Sequence, residues 1–389
     1  MIESKFSADW RRQRSYDFIF AGAGCAALSI VMRMIKSGDF PDKKILLIDK
    51  EPKTKNDRTW CFWEKENGFF EEIVYKRWDK LSFLSDEFSN TMDISPYQYK
   101  MIRGIDFYNY CFEEIRKHKN IEIVYGDLKT AIGHKEGTTI ILDDITYNLG
   151  DPIIFNSISH APKQGTIKLL QHFKGWVIES AKEIFDPGKA TMMDFRIHQG
   201  HGTTFVYVLP FTKTTALVEY TLFTKQLLQP EQYDKELKNY LYNFLKIVDY
   251  RVREEEFGII PMTNEELSFQ GQGEFNIGTA GGQTKASSGY TFQFIQKQSR
   301  QIAECLAKGD SLFTIFDPPK RFRFYDNTLL HILYNNKLQG KRIFTNLFQK
   351  NKPQSVLRFL DNETTLKEEL KIISSLPLWP FLKAALKQL

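Results

Sequence analysis

Cysteine is scarce in this chain: Cys25, Cys61, Cys111 and Cys305 stand far apart, and no two form a CxxC pair. That spacing excludes a disulfide framework and a cysteine-based zinc site, and it fits a reducing, cytoplasmic setting. No metal site is expected. Long apolar runs are also missing, since nothing approaches the roughly 20 uninterrupted apolar residues of a membrane-spanning helix. The opening segment MIESKFSADWRRQRS carries charges but no apolar stretch ahead of a small-residue cleavage site, so no secretory signal is expected. Charge of one sign is not in large excess. The formal net charge is +5 over 389 residues, with the basic residues scattered, which gives nucleic-acid binding no support. It leaves room for a weak attraction to an anionic membrane surface. Internal repeats and low-complexity tracts are absent.

Aromatic rings are plentiful, with 32 Phe and 17 Tyr, and the length allows two interlocked domains and a large core. DFIFAG followed by a glycine-rich turn and apolar residues at helical spacing (Leu28, Val31, Met32, Ile35) reads as a strand, turn and helix. KKILLIDKE then reads as a parallel strand covered on both faces. Residues 105–118 have a helical pattern, and NIEIVYGDL, TTIILDD and DPIIFN read as further strands. GWVIES, ATMMDFRI, TTFVYVLPF and TTALVEYTLF predict longer strands between about 165 and 265, interrupted by a helix near 230–247. A second helix is expected over 290–307, and the chain from Pro318 onward is helical in pattern, basic, and rich in Phe and Leu. The fold class expected is α/β. A Rossmann-like dinucleotide-binding domain (14–160 and 265–317) carries an inserted, mainly antiparallel β-sheet substrate domain (161–264) and a helical C-terminal region (318–389).

Gly22, Gly24 and Ala27 form a G-x-G-x-x-A fingerprint between that first strand and helix, where free N–H groups and the helix dipole favour a pyrophosphate. Asp49 closes the second strand, the position at which an acid binds the adenosine ribose hydroxyls. The fingerprint alone does not distinguish NAD from FAD. The late glycine run FNIGTAGG, with Gly278, Gly281 and Gly282, points to FAD, because a dehydrogenase has no need of it.

Several blocks then resemble lycopene beta-cyclases of the bacterial type, a family of FAD-dependent carotenoid cyclases. They are NDRTWCFWE (56–64), GWVIE (175–179), FVYVLPF (205–211), ALVEYT (216–221), EFGIIP (256–261), GGQTKASSGYTF (281–292) and RFRFYD (321–326). Two positions depart from the pattern: Thr279 stands where many related flavoproteins have an acid, and Tyr220 where some members have a second acid. The resemblance implies protonation of a terminal double bond of lycopene, attack of the cation on a neighbouring double bond, and loss of a proton. It implies reduced FAD as a required cofactor, NAD(P)H as the electron source, and lycopene or a related acyclic carotene as substrate.

Protonating an alkene needs a strong acid in a dry site. Glu219 is the candidate, because the apolar strand around it disfavours the carboxylate; strand alternation could equally point it into solvent. Asp194, with Arg196, resembles another family block and is read either as a second site acid or as a surface ion pair. Trp60, Phe62, Trp63, Trp176, Phe205, Tyr207 and Tyr290 are candidates to hold the cation by their π faces. The basic, aromatic tail either lies on a membrane to collect a water-insoluble substrate or packs on the flavin domain. With the first option, the protein is expected at the inner face of the membrane, peripherally attached. Two rival functions share these features: a redox flavoenzyme, such as a monooxygenase or isoprenoid reductase acting on a lipid, and a non-catalytic carotenoid-binding protein.

Overall fold

The first apolar run, Phe18–Ala21, is buried along its whole length and forms the middle of a five-stranded parallel sheet. Across that sheet the order is Phe275–Asn276, Ile153–Asn156, Phe18–Ala21, Ile45–Asp49 and Ile121–Tyr125. The continuous burial of FIFA and ILLID is what a parallel strand covered on both faces requires. The computed structural model describes residues 15–134, 137–158, 166–271, 273–315 and 319–388. The charged N-terminal segment through Arg14, and the domain junctions expected at 160–161 and 317–318, lie outside the described residues.

Helices Cys25–Ser37 and Phe292–Lys308 pack together on the parallel sheet and share a core with Gly104–Ile115. Gly38 ends the first of them in a left-handed conformation, its N–H returning to the Ile35 carbonyl. On the other face lies a three-stranded antiparallel meander, Leu128–His134, Gly137–Leu142 and Ile145–Leu149.

The second large sheet has seven strands, ordered Tyr250–Thr263, Lys168–Ser180, Thr215–Thr224, Thr203–Pro210, Lys189–Asp194, Lys80–Leu84 and Ser89–Asp93. Its strands pair antiparallel except where Lys189–Asp194 meets Lys80–Leu84. The last two strands come from the first third of the chain, so the sheet is wider than the run 161–264. One face is covered by helix Pro230–Asn243 and the core of Trp176, Val218, Tyr220, Tyr233 and Leu237. A small antiparallel sheet, Thr59–Glu64, Gln98–Arg103 and Lys76–Trp78, packs toward the opposite face.

The C-terminal region is helical, as its pattern predicts: Lys320–Tyr334, Gly340–Lys350, Pro353–Leu360, Leu366–Ser374 and Leu378–Ala385. Its apolar residues divide. Phe344, Leu347, Phe348, Val356 and Leu357 are buried in the core beneath the seven-stranded sheet. Leu366, Leu370, Leu378, Trp379, Leu382 and Leu386 are exposed, Trp379 to 73%. Among the described residues no helix is long and apolar enough to cross a membrane.

Candidate active site

The glycine turn sits between the first strand and the helix that starts at Cys25. Gly22 has φ +97°, and a Cβ there would lie 2.2 Å from Ser157 Oγ, so the turn needs glycine for both conformation and space. Gly24 precedes the helix in an extended conformation with no side-chain cap, and a Cβ on it would meet nothing within 4 Å. The first-turn N–H groups are thus left without a capping side chain. Ala27 is fully buried where the helix packs. Asp49 turns back to this loop: Oδ2 accepts from the Ala23 N–H at 2.7 Å, and Oδ1 accepts from Lys53 Nζ at 2.9 Å.

The late glycine segment comes to the same place. Gly278 has φ +61°, and a Cβ on it would approach Ala26 Cβ to 3.1 Å. Gly281 and Gly282 lie one turn further on, against Asn276 and Leu267. A cavity of about 590 Å³ opens from Gly24, Cys25, Ala26, Gly278 and Thr279 and reaches the seven-stranded sheet at Glu219. One space thus joins the two glycine segments to the predicted acid, although Gly24 lies 195 residues before Glu219 and Gly278 lies 59 after it.

On the sheet, Tyr207, Glu219, Gly175 and Glu256 are cross-strand neighbours in a single row. Glu219 and Glu256 belong to strands on either side of the Lys168–Ser180 strand. Gly175 between them has no side chain, and a Cβ there would come within 2.9 Å of both Glu256 Cγ and Leu217 Cδ1. Over that gap the two carboxyl groups come close enough to share a proton. Thr221 Oγ1 donates to Glu219 Oε1 at 2.7 Å, and Thr59 Oγ1 donates to Glu256 Oε2 at 2.6 Å. Burial pushes the Glu219 carboxyl well above the ordinary carboxylate range, and the neighbouring charge of Glu256 and the bond between them push it further. Glu256 is also raised, by burial, with Glu219 and Thr59 opposing as hydrogen-bond donors. Both carboxyls are raised, so the pair holds a proton between them. Glu219 is half-buried by surface area, and the surface it keeps belongs to the cavity wall.

Around the acid the wall is aromatic. Trp60, Tyr207 and Tyr290, all singled out in the sequence, line the cavity, as do Tyr99, Tyr108, Phe173 and Phe292. Burial holds the phenols of Tyr99, Tyr207 and Tyr290 far above their ordinary values, so they present π faces and O–H dipoles without a negative charge. The hydroxyls of Tyr99, Tyr290 and Ser288 and the Gln171 carbonyl are buried without a partner among the described residues. Such atoms on a cavity wall are what a bound molecule would satisfy. Phe62, Trp63, Trp176 and Phe205 are core residues and do not line the cavity.

Asp194 is not brought to this cavity. It is fully buried on the helix-covered side, where it accepts from Arg196 Nε (2.9 Å), an Arg196 terminal nitrogen (2.6 Å), the Arg196 backbone N–H (3.0 Å) and Tyr240 OH (2.8 Å). Tyr220 also points to that side, so the second acid of the site is Glu256 and comes from another strand. Glu256 stands first in the block EFGIIP, yet the REEE run before it reads as a solvated edge, and nothing local announces its partner. The roles of Thr59, Gly175 and Tyr99 are likewise set by cross-strand register.

Among solved structures, the chain is similar to a flavin-dependent brominase (14% identity, TM-score 0.61, 90% of this chain and 94% of that one). It is also similar to a geranylgeranyl bacteriochlorophyll reductase-like protein from Thermoplasma acidophilum (12% identity, TM-score 0.58, 97% and 98%). These likenesses establish the fold, a Rossmann-type α/β architecture shared with flavin-dependent enzymes. In sequence it is 24% identical over 265 residues to a lycopene beta-cyclase of Pantoea ananas, covering 64% of this chain and 63% of that protein. The family described as lycopene cyclase protein matches residues 17–386, so the chain belongs to the lycopene cyclase family.

Proposed function

We propose that the protein is a lycopene beta-cyclase, an isomerase that closes the ends of lycopene into beta-ionone rings by acid catalysis with no net oxidation. The observation that carries this reading is the proton-holding pair Glu219–Glu256, whose Glu219 faces an aromatic cavity continuous with the glycine turn. Glu219 would transfer its proton to the terminal double bond. Its desolvated surroundings keep the proton on the carboxyl and exclude water that would capture the cation. Tyr207, Tyr290 and Trp60 would face the cation with π density and neutral hydroxyls, which attract positive charge without capturing it. A proton lost from the ring cation completes the change.

The residues fit FAD. The uncapped helix start at Gly24, Cys25 and Ala26 offers N–H groups to a pyrophosphate, Asp49 lies beside the turn for the ribose, and Gly278–Gly282 lies opposite for the ribityl chain. In its reduced form, supplied with electrons by NAD(P)H, FAD would add electron density that stabilises developing positive charge. Helices Leu366–Ser374 and Leu378–Ala385 present Leu366, Leu370, Trp379 and Leu386 among exposed Lys367, Lys371, Lys383 and Lys387. That face supports docking on the inner, anionic surface of a membrane, from which a water-insoluble carotene is collected.

The test is expression in a cell that makes lycopene, followed by pigment mass and purification of the protein. The expected result is a cyclised carotene of unchanged mass and a yellow flavin absorbance. A product that gains hydrogen or oxygen would assign a redox flavoenzyme, and binding without conversion would assign a carrier. Glu219→Gln should keep the flavin and lose the rings.

A further inference from the structure

Glu256 does not line the main cavity, whose wall carries Glu219, but a second and smaller space. This recess, of about 40 Å³, lies further along the same strands and is lined by Asn56, Tyr75, Arg103, Glu254 and Glu256. Thr59 and Leu217 line both this recess and the main cavity, so the partition between them is one residue thick. Glu254 at the recess is exposed to solvent. Glu256 Oε2 is anchored by Thr59, while Oε1 is buried with no N–H or hydroxyl donor among the described residues. The group left to donate to Oε1 is the carboxyl of Glu219. The charged groups facing Glu256 are Glu219 across Gly175, Glu254 and Glu255 on its own strand, and Arg103 on the small sheet. The Arg103 guanidinium is engaged by Asp106 at 2.7 and 2.8 Å, so among the described residues that line the recess no unpaired cation offsets the acid pair.

We propose that Glu256 is the relay through which Glu219 regains its proton between ring closures, taking it from water in the recess beside Glu254 and passing it over Gly175. This rests on the cyclase reading of Glu219 and adds a second residue to it. Each closure moves the Glu219 proton to an alkene carbon and leaves a carboxylate. Water then protonates the Glu256 carboxylate, and Glu256 passes that proton to Glu219 and returns to carboxylate. The hydroxide formed is neutralised by the proton that the ring cation releases, so no other reactant is consumed. A molecule with two ends to close needs the acid loaded twice.

Pre-steady-state cyclisation by the flavin-loaded, reduced enzyme tests this at mildly acidic pH, where Glu219 starts protonated. In Glu256→Gln, a first ring per enzyme should still form, slower than in wild type only by what Glu256 contributes to holding the Glu219 proton. Later turnovers should be about a hundredfold slower, with KM for the carotene unchanged. Formate should restore much of the loss by replacing the missing carboxyl. Steady-state turnover equal to wild type overturns the relay, and so does a flavin-bearing variant that forms no first ring. If Glu256→Gln loses its flavin absorbance through misfolding, Thr59→Val should give the same split at about tenfold, and equal slowing of all turnovers overturns the proposal. Glu219→Gln in the same assay should form no ring at all. A fully active Glu219→Gln sinks the cyclase reading, whereas a silent Glu219→Gln beside a wild-type-like Glu256→Gln sinks the relay alone.

Discussion

The two faces of the seven-stranded sheet treat buried acids in opposite ways. On the helix-covered face, Asp194 receives four hydrogen bonds, three of them from Arg196. His172 on that face is bonded by Tyr233 and Thr224, and burial lowers it to about 4 so that it stays neutral. Lys174 pairs with Asp234. Apart from the Trp176 indole N–H, the polar atoms described there have partners. On the cavity face, Glu219 has one hydroxyl donor and another acid for a neighbour, and the hydroxyls of Tyr99, Tyr290 and Ser288 have no partner among the described residues. A buried carboxylate beside a guanidinium builds structure; one beside a second carboxyl holds a proton. The first arrangement is complete without a ligand, and the second is not.

Substitutions sharpen that contrast. The largest expected effect is Glu219→Gln, with cyclisation down by about a thousandfold or more and flavin absorbance unchanged, measured on purified protein. Asp194→Asn should do the reverse. It weakens the pairing of Arg196 and costs about 3 kcal/mol, seen as a lower urea midpoint at unchanged slope, while activity per folded molecule stays near wild type. If Asp194→Asn instead abolished cyclisation at unaltered stability, the division between the faces would be wrong. Gly175→Ala forces the pair apart and overpacks the row at a cost of about 2 kcal/mol, and it should also move the alkaline limb of the pH–rate profile.

The smallest signal is in stability against pH. Because the folded-state pKa of Glu219 is raised, its contribution is full below the unfolded carboxyl value, about 4.3, and is lost as pH rises through the raised value. Wild type should therefore lose stability relative to Glu219→Gln as pH increases, in urea titrations at stepped pH. A constant difference across that range would mean that Glu219 is ionised throughout.

How far the sequence foretold these faces depended on distance along the chain. Gly22, Gly24, Ala27 and Asp49 belong to one strand, helix and strand, and their pattern is local. The long strands around Trp176, Phe205 and Glu219 were likewise legible from continuous apolar runs, and helix Pro230–Asn243 from its spacing. Glu219 was legible because its own flanks are apolar. Glu256 was not, since its flanks are charged and its partner lies 37 positions away, two strands over. Asp194 looked like a site acid because Tyr240, which ties it to the helix, is 46 residues distant. Strands Lys80–Leu84 and Ser89–Asp93 join the sheet from far upstream, and no periodicity reports which sheet a short strand will join.

The empty position at Gly175 also sets a length. Strands lie about 4.8 Å apart, so the backbones carrying Glu219 and Glu256 are separated by roughly 9.6 Å, and two glutamate side chains just span it. An aspartate at either end would fall short by one carbon–carbon bond, about 1.5 Å. The hydrogen bond would then open without any change of charge, making side-chain reach a dial for acid strength.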